Sequence, residues 1–536
     1  MDRASEAGRP SRDRLLTAAS LLLLALYFIV SSRHGWRAYF TQDDAGNLLA
    51  MHNYWQHSLL DEIWAALRVV SGMVRPLGAI FYFTLYKLAG YNPLPFRAVC
   101  LTLILANLLL AFALLRRLSG SIAAALFGGI ILANHPALLE LFYSSGTIYE
   151  ILCFLFYFLA VWLYLGWRQA GVVPSWRRLA ILLALTGLAL DSKEMAMTLP
   201  GALLLVELIY VPKASRSWRG ALLTAMLVVP TVLVKALTHN PLSNDPAYAG
   251  HSLHGLLEAM RAYQNFLLYG DLFQGGLSIA GLLVLWLAMA AAALFLRSRP
   301  MIFGGLFLIG SLVPVSLISR RGGYLLYIPL LGWALYIACL FERVFLHHRL
   351  SLPIKAAAFA IAAVFVVRLH AAKLAPYAAY TRQEQGDMRR VIDALRKAHP
   401  RLPRGATLLL TDDLLPPILT LDLLAPVAYG DPTLELERIK MRYQPLAGDD
   451  VTHFDYVLGG GWKLRDIRGP SDPRPPVTLA QYAGQTVDLR IRTSSARTIV
   501  RNCKLDAAGR PAIAGPIEIH WIRPAGGEWM SVSPAP

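Results

Sequence analysis

The sequence predicts an all-α polytopic membrane domain of about eleven transmembrane helices, followed by a small α/β domain outside the membrane. Three observations predict it. Mean hydropathy is +0.47, with 56% hydrophobic and 16% charged residues, against roughly 25% charged in soluble domains. Apolar runs near the ~20 residues that a ~30 Å hydrocarbon core requires recur down to residue 369. Basic residues collect in alternate short loops.

Hydropathy places the spans near 15–31, 94–115, 121–139, 147–167, 179–191, 195–211, 220–237, 277–296, 301–318, 324–341 and 353–369. Arg3, Arg9, Arg12 and Arg14 precede the first run, and no small-residue cleavage site follows it. It therefore reads as a retained span entering from the cytoplasm, not a signal peptide. Arg116, Arg117, Arg168, Arg177, Arg178, Lys213, Arg216, Arg219, Arg297, Arg299, Arg343 and Arg349 fall in the loops assigned to the cytoplasm. Asp43, Asp44, Asp61, Glu62, Glu140, Glu194, Asp245, Glu258 and Asp271 fall in the others. This asymmetry sets the N-terminus in the cytoplasm, and an odd number of spans carries the tail outside. The net charge of +17 is spent on topology and does not point to nucleic acid. Cys100, Cys153 and Cys339 lie in spans and Cys503 stands alone, so no disulfide framework or zinc-ligand spacing exists.

The first outer loop, 32–93, is long. Leu59, Leu60, Ile63, Trp64, Leu67, Val70 and Val74 recur at helical spacing opposite Asp61, Glu62 and Arg68, which predicts an interfacial amphipathic helix. A second segment, 76–90, breaks at Gly90-Tyr91-Asn92-Pro93. The short spans 179–191 and 195–211 meet at Asp191-Ser192-Lys193-Glu194, too polar to face lipid, so this hairpin ends inside the protein against a wet cavity. The membrane domain covers 1–369. An α/β unit follows over 370–467, with a helical face at Met388, Val391, Ile392 and Leu395 and strands near 407–411 and 455–460. A Pro-rich stretch, 468–476, leads to a β-rich end, 477–536, where Val487, Leu489 and Ile491, then Ile517, Ile519 and Trp521, alternate with polar neighbours.

Four polar features could carry chemistry, and each has a structural alternative. Thr41-Gln42-Asp43-Asp44 follows the first span. Adjacent carboxylates there can act as a general base and as ligands for a divalent cation, or be a solvated acid pair. Asn134-His135-Pro136 with Glu140 can hydrogen-bond a sugar or pyrophosphate, or simply cap and break a helix. Lys193 offers a cation for a phosphate with Glu194 as its partner, or an internal ion pair fixing two short helices. Arg320-Arg321 breaks the charge bias of the other outer loops, with Tyr324 and Tyr327 on the same helix face. It calls for an anion: a donor phosphate, or ordinary headgroups.

These features occur in a recognisable order: the acid pair, Arg75-Pro76-Leu77, Tyr91-Asn92-Pro93 with Phe96-Arg97, His135-Pro136 with Glu140, Ser192-Lys193-Glu194 with Pro200, then Arg and Tyr residues opening a late span. Over roughly residues 15–340 the order resembles the GT-C superfamily of membrane glycosyltransferases, in the branch of protein O-mannosyltransferases and of mannosyltransferases carrying tetratricopeptide repeats. Two departures stand out. The Arg that this branch carries after the His-Pro-Glu segment is missing from Ser145-Gly146-Thr147-Ile148-Tyr149-Glu150, where Glu150 takes the place of the family's acid; and the tail lacks the repeats. The resemblance implies a GT-C-like fold and an inverting hexosyl transfer, mannosyltransferase-like, on the outer face. The donor would be a polyprenyl-phosphate-linked sugar. Asp43 or Asp44 would be the base. Arg320, Arg321, Lys193, Tyr324 and Tyr327 would hold the donor phosphate, and His135, Glu140, Glu150, Glu194 and Arg75 would line the substrate site.

Three other readings remain open on sequence: a surface-polysaccharide polymerase or ligase, a lipid or sugar transporter, and a non-catalytic assembly protein or receptor. A transporter would spread polar residues across mid-membrane. Here they gather at the outer ends of spans, which favours an enzyme.

Overall fold

A computed structural model describes residues 9–54, 75–237, 253–270, 276–317, 321–346, 350–411 and 420–439, with the strand segments 453–458, 462–467, 486–492, 497–504, 518–523 and 530–531. The amphipathic segment expected over 59–74, Arg320 and the Pro-rich stretch lie outside the described residues. Contacts divide the chain into two units, one of Met1–Asn47 and Tyr54–Arg382, the other of Leu48–Asn53 and Gln383–Pro536.

The first unit is a helical membrane domain. Helix α1 (Arg9–Ser32) ends at a short 3-10 turn, Gly35–Arg37, and α2 (Gln42–Tyr54) starts at the acid pair. Helix α3 (Pro76–Ala89) takes Pro76 in its first turn, where no amide hydrogen is needed, and stops at Gly90, whose φ is +59°. Helix α4 (Pro93–Ser119) is capped by the Asn92 side chain, which accepts from Leu94 N at 3.1 Å. Helix α5 (Ile122–Ala133) breaks at Asn134 and His135. The chain bends 50° there into Pro136–Tyr143.

The expected count of about eleven spans is overturned. Among the described residues six helices are long and apolar enough to cross a membrane: Arg12–Ser32, Pro93–Ser119, Ser145–Gln169, Arg299–Ser316, Gly323–Phe345 and Leu352–Lys397. The bent pair makes a seventh if it is one span. The reason is length. Trp176–Ser192 and Leu199–Tyr210 have 17 and 12 residues and are parted by the 3-10 stretch Glu194–Thr198. At ~1.5 Å per residue the second is about 18 Å long, well short of a ~30 Å core. Ile279–Phe295, also 17 residues, falls just below the same limit. Apolar runs are therefore more numerous than spanning helices. The chain is nonetheless an integral, multi-pass membrane protein. Its outward apolar residues, such as Ile361 at 71% and Phe365 at 66% exposure, have lipid as their fitting solvent.

Late helices close the bundle. Arg299–Ser316 and Tyr327–Phe345 cross where Gly304 and Gly332 face each other; a Cβ on either would lie 2.8 Å from the other's carbonyl oxygen. Small residues permit this close backbone approach between apolar helices. It fixes the helix that starts at Tyr327, just past the 3-10 turn Gly323–Leu326.

The second unit holds two four-stranded sheets. In one, Thr407–Thr411 pairs in parallel with Glu435–Ile439 and antiparallel with Glu518–Arg523. In the other, His453–Leu458 and Trp462–Ile467 form an antiparallel pair, and Thr486–Arg492 joins Trp462–Ile467 in parallel and Arg497–Lys504 antiparallel. The alternating runs of the tail thus fold as strands, as period-2 patterning requires.

Candidate functional site

The two carboxylates of the acid pair have different surroundings. Asp44 is fully buried. Its Oδ2 accepts from Thr41 N at 2.8 Å, Thr41 Oγ1 at 2.9 Å and Ser145 N at 3.4 Å, and its Oδ1 accepts from Tyr82 Oη at 2.7 Å. Burial pushes its carboxyl above the usual 3.8, against the pull of the Thr41 amide, the Arg97 charge and the Tyr82 and Thr41 hydroxyls. Asp43 is exposed. It lies against Gly146, where a Cβ would come within 2.5 Å of the Asp43 Cβ and 3.4 Å of its Oδ2. The glycine is what lets this carboxylate approach the start of the next span.

Arg97 was only part of the ordered pattern in the sequence, yet it organises this corner. It is the largest fully buried side chain among the described residues. Its guanidinium donates to Gly35 O at 3.3 Å, Ser145 Oγ at 3.1 Å, Leu141 O at 3.4 Å and Phe142 O. Ser145 joins the two halves: its hydroxyl accepts from Arg97 and its amide donates to Asp44. Thr41 Oγ1 lies 2.8 Å from Ser144 Oγ, closing the frame. Thus α4 supplies a guanidinium to the loop of Leu141–Ser145. A charged residue inside an apolar helix was the signal in the sequence that could have marked it.

Beside this frame stand two ion pairs. Lys193 Nζ lies 2.6 Å from Glu150 Oε1, with side chains 14% and 6% exposed. Arg75 Nη2 lies 3.0 Å from Glu194 Oε2, with side chains 29% and 37% exposed. Neighbouring residues of the break between the short helices thus take opposite partners. Lys193 holds an extended conformation between Trp176–Ser192 and the 3-10 stretch, and its side chain reaches back to Glu150 in the first turn of Ile148–Gln169. The Arg75 guanidinium stacks 5.1 Å from the Tyr149 ring, and Tyr149 Oη donates to Asn47 Oδ1 at 2.7 Å. The Lys193 ammonium is 5.8 Å from the Tyr324 ring centroid. Tyr324 stands in the field of Glu150, Glu140, Asp43 and Arg321. Asp43, Glu140, Glu150, Glu194, Arg75, Lys193, Arg321 and Tyr324 therefore share one end of the bundle.

Two expected residues lie elsewhere. Tyr327 is in the core, stacked on Phe154 at 4.1 Å, beside a small apolar cavity lined also by Phe28, Leu108 and Phe142. His135 is fully buried and both ring nitrogens are engaged. Nδ1 accepts from Ala137 N at 3.2 Å, which leaves Nε2 as the donor to Leu267 O at 3.3 Å. Its ring packs 4.6 Å from Tyr269, whose hydroxyl is 2.9 Å from His370 Nε2; Tyr27 Oη is 3.1 Å from His370 Nδ1. This cluster ties the first span to Leu352–Ala398. At the far end of Ile148–Gln169, Arg168 and Glu207 form a buried pair, with Glu207 also accepting from Tyr164 Oη at 2.8 Å and Ser217 N at 2.9 Å.

A cation shared by the acid pair would compete with the donors that Asp44 already has, Tyr82 Oη at Oδ1 and Thr41 N and Oγ1 at Oδ2. Among the described residues no group of three or more His, Cys, Asp or Glu side chains is arranged to hold a metal ion.

No family model matches the chain, and no curated protein matches it. Among solved structures it is similar to ArnT from Cupriavidus metallidurans. The crystal structure bound to undecaprenyl phosphate matches at 16% identity and a TM-score of 0.42, covering 80% of this chain and 86% of that one. The apo structure matches at 14% identity and a TM-score of 0.45, covering 77% and 85%.

Proposed function

We propose that this chain is an inverting membrane glycosyltransferase that moves a sugar from a polyprenyl-phosphate donor to an acceptor hydroxyl at one face of the membrane. One observation carries the reading: an exposed carboxylate, Asp43, held beside a cluster of cations at the ends of spans. Asp43 takes the proton of the acceptor hydroxyl. The oxygen attacks the anomeric carbon from the side opposite the phosphate. The bond from that carbon to the phosphate oxygen breaks, and the phosphate leaves on its lipid with the electron pair. Negative charge grows on the leaving oxygen, so Lys193, Arg75 and Arg321 act more strongly in the transition state than in the ground state. Arg320, outside the described residues, is proposed as a phosphate ligand from the sequence alone. Asp44 and Arg97 position Asp43 and touch no substrate. Glu140 and Tyr324 line the sugar side. A lipid-borne donor explains why such chemistry sits on a membrane scaffold, and undecaprenyl phosphate is the lipid named for one of the two ArnT structures.

The Arg and Lys bias of the short loops supports an extracytoplasmic site, a cytoplasmic N-terminus and an extracytoplasmic tail. A mannosyl donor is the finer reading that the sequence resemblance supports. A mass-spectrometric comparison of glycolipids, glycoproteins and surface glycans from cells with and without the protein tests the reading. One hexose missing from one acceptor class is expected. Loss of whole oligosaccharide units would point to a polymerase or ligase, and unchanged glycans would remove the proposal.

A further inference from the structure

Two cations of the cluster are already paired with carboxylates inside the protein. Lys193 has Glu150 and Arg75 has Glu194, two positive and two negative charges that sum to zero. Such a quartet has no net attraction for an anion. A phosphate reaching it must displace a carboxylate. The Lys193–Glu150 pair is the more withdrawn from water, with side chains 14% and 6% exposed, so an ammonium left unpaired there is costly. It changes partner only when the new anion is already at hand. Lysine suits the exchange, since a compact ammonium on a flexible stem turns between acceptors where a fixed guanidinium fork cannot.

The direction of the exchange follows from the charges of the two lipids, and here the inference rests on the function proposed above. The donor is a phosphodiester with one negative charge. The product is a phosphomonoester, which carries about −1.5 to −2 near pH 7. A fixed clamp would therefore hold the product harder than the donor, and turnover would stall at release. We propose that Glu150 is the exchange partner of Lys193: it holds the ammonium while no lipid is bound, yields it to the donor phosphate, and reclaims it as the polyprenyl phosphate leaves.

The sign of one substitution tests this. Glu150→Gln keeps the shape and one acceptor oxygen but removes the competing charge. If Glu150 engages Lys193 about nine-tenths of the time, the variant binds polyprenyl phosphate about tenfold tighter, because the competent fraction rises by that factor. Turnover in the variant shows a burst of about one equivalent and then a slow phase set by release. Lys193→Ala in the same background returns the affinity to that of Lys193→Ala alone. A purely structural Glu150 gives the opposite sign, weaker binding. Equal or weaker binding of polyprenyl phosphate by folded Glu150→Gln protein overturns the exchange while leaving the transferase reading intact. If that variant fails to fold, Glu150→Asp, which keeps the charge on a shorter arm, is expected to show a smaller gain, and equal or weaker binding overturns the exchange in the same way. A wild-type protein that binds neither polyprenyl phosphate nor a polyprenyl-phosphate hexose overturns both.

Discussion

At the scale of single residues, the acid pair shows what adjacent positions at a helix start can do. Side chains one residue apart on a helix point about 100° apart. As α2 begins at Gln42, Asp43 turns outward and Asp44 inward. Asp44→Asn should act on stability, costing about 1–3 kcal/mol for donors left badly matched. Its pH dependence has a definite sign. The folded-state pKa of Asp44 is raised, so its contribution is fully present below 3.8 and is lost as pH rises through the higher folded value. The substitution is therefore expected to cost more in acid than at neutral pH, which thermal unfolding of both proteins across pH measures; a cost that grows with rising pH would contradict the burial argument. The pair itself was legible in the sequence as a chemical feature. Which member faces solvent was not, because that depends on Tyr82 and Ser145, residues 38 and 101 positions away. The ion pairs were half legible for the same reason: the Lys193-Glu194 run announces charge, but Arg75 lies 119 positions from its partner Glu194.

At the scale of elements, the polar break between two short helices was plain from Asp191-Ser192-Lys193-Glu194, and the structure places Glu194–Thr198 there as a 3-10 stretch. The number of spans was not legible. A hydropathy window registers apolar runs, whereas a span also needs uninterrupted helix about 30 Å long. The segment from Leu139 to Thr147 is the element that lies against Asp43, the proposed base. Ser145→Ala removes the hydroxyl that accepts from Arg97 but leaves the amide that serves Asp44. A small displacement of Asp43 is expected, and misplacement of that order lowers turnover by up to about 10²-fold. The loss should fall on kcat with KM unchanged, since the frame touches no substrate. Steady-state kinetics on the two proteins separates the cases, and a rise in KM alone would place Ser145 in the binding surface instead.

At the scale of the whole molecule, the proposed function puts chemistry at one end of the helical bundle, and a buried, fully partnered ion pair, Arg168 with Glu207, stands at the end of Ile148–Gln169 remote from it. Arg117 and Arg216 lie near that end, and the proposed orientation turns it to the cytoplasm. A cysteine introduced near Asp43, in a background without Cys503, should be labelled by a membrane-impermeant reagent in intact cells; labelling only after the membrane is opened would reverse the orientation. The most direct measurement is transfer itself. Purified wild-type protein in lipid, given a panel of polyprenyl-phosphate hexoses and the acceptor class found missing in the glycan comparison, should form one glycosidic bond of inverted configuration and release one polyprenyl phosphate per turn. Asp43→Asn, correctly inserted and folded, should be slower by about 10²–10⁴-fold, the scale of general-base catalysis. Wild-type rates in Asp43→Asn, or product of retained configuration, would contradict the account.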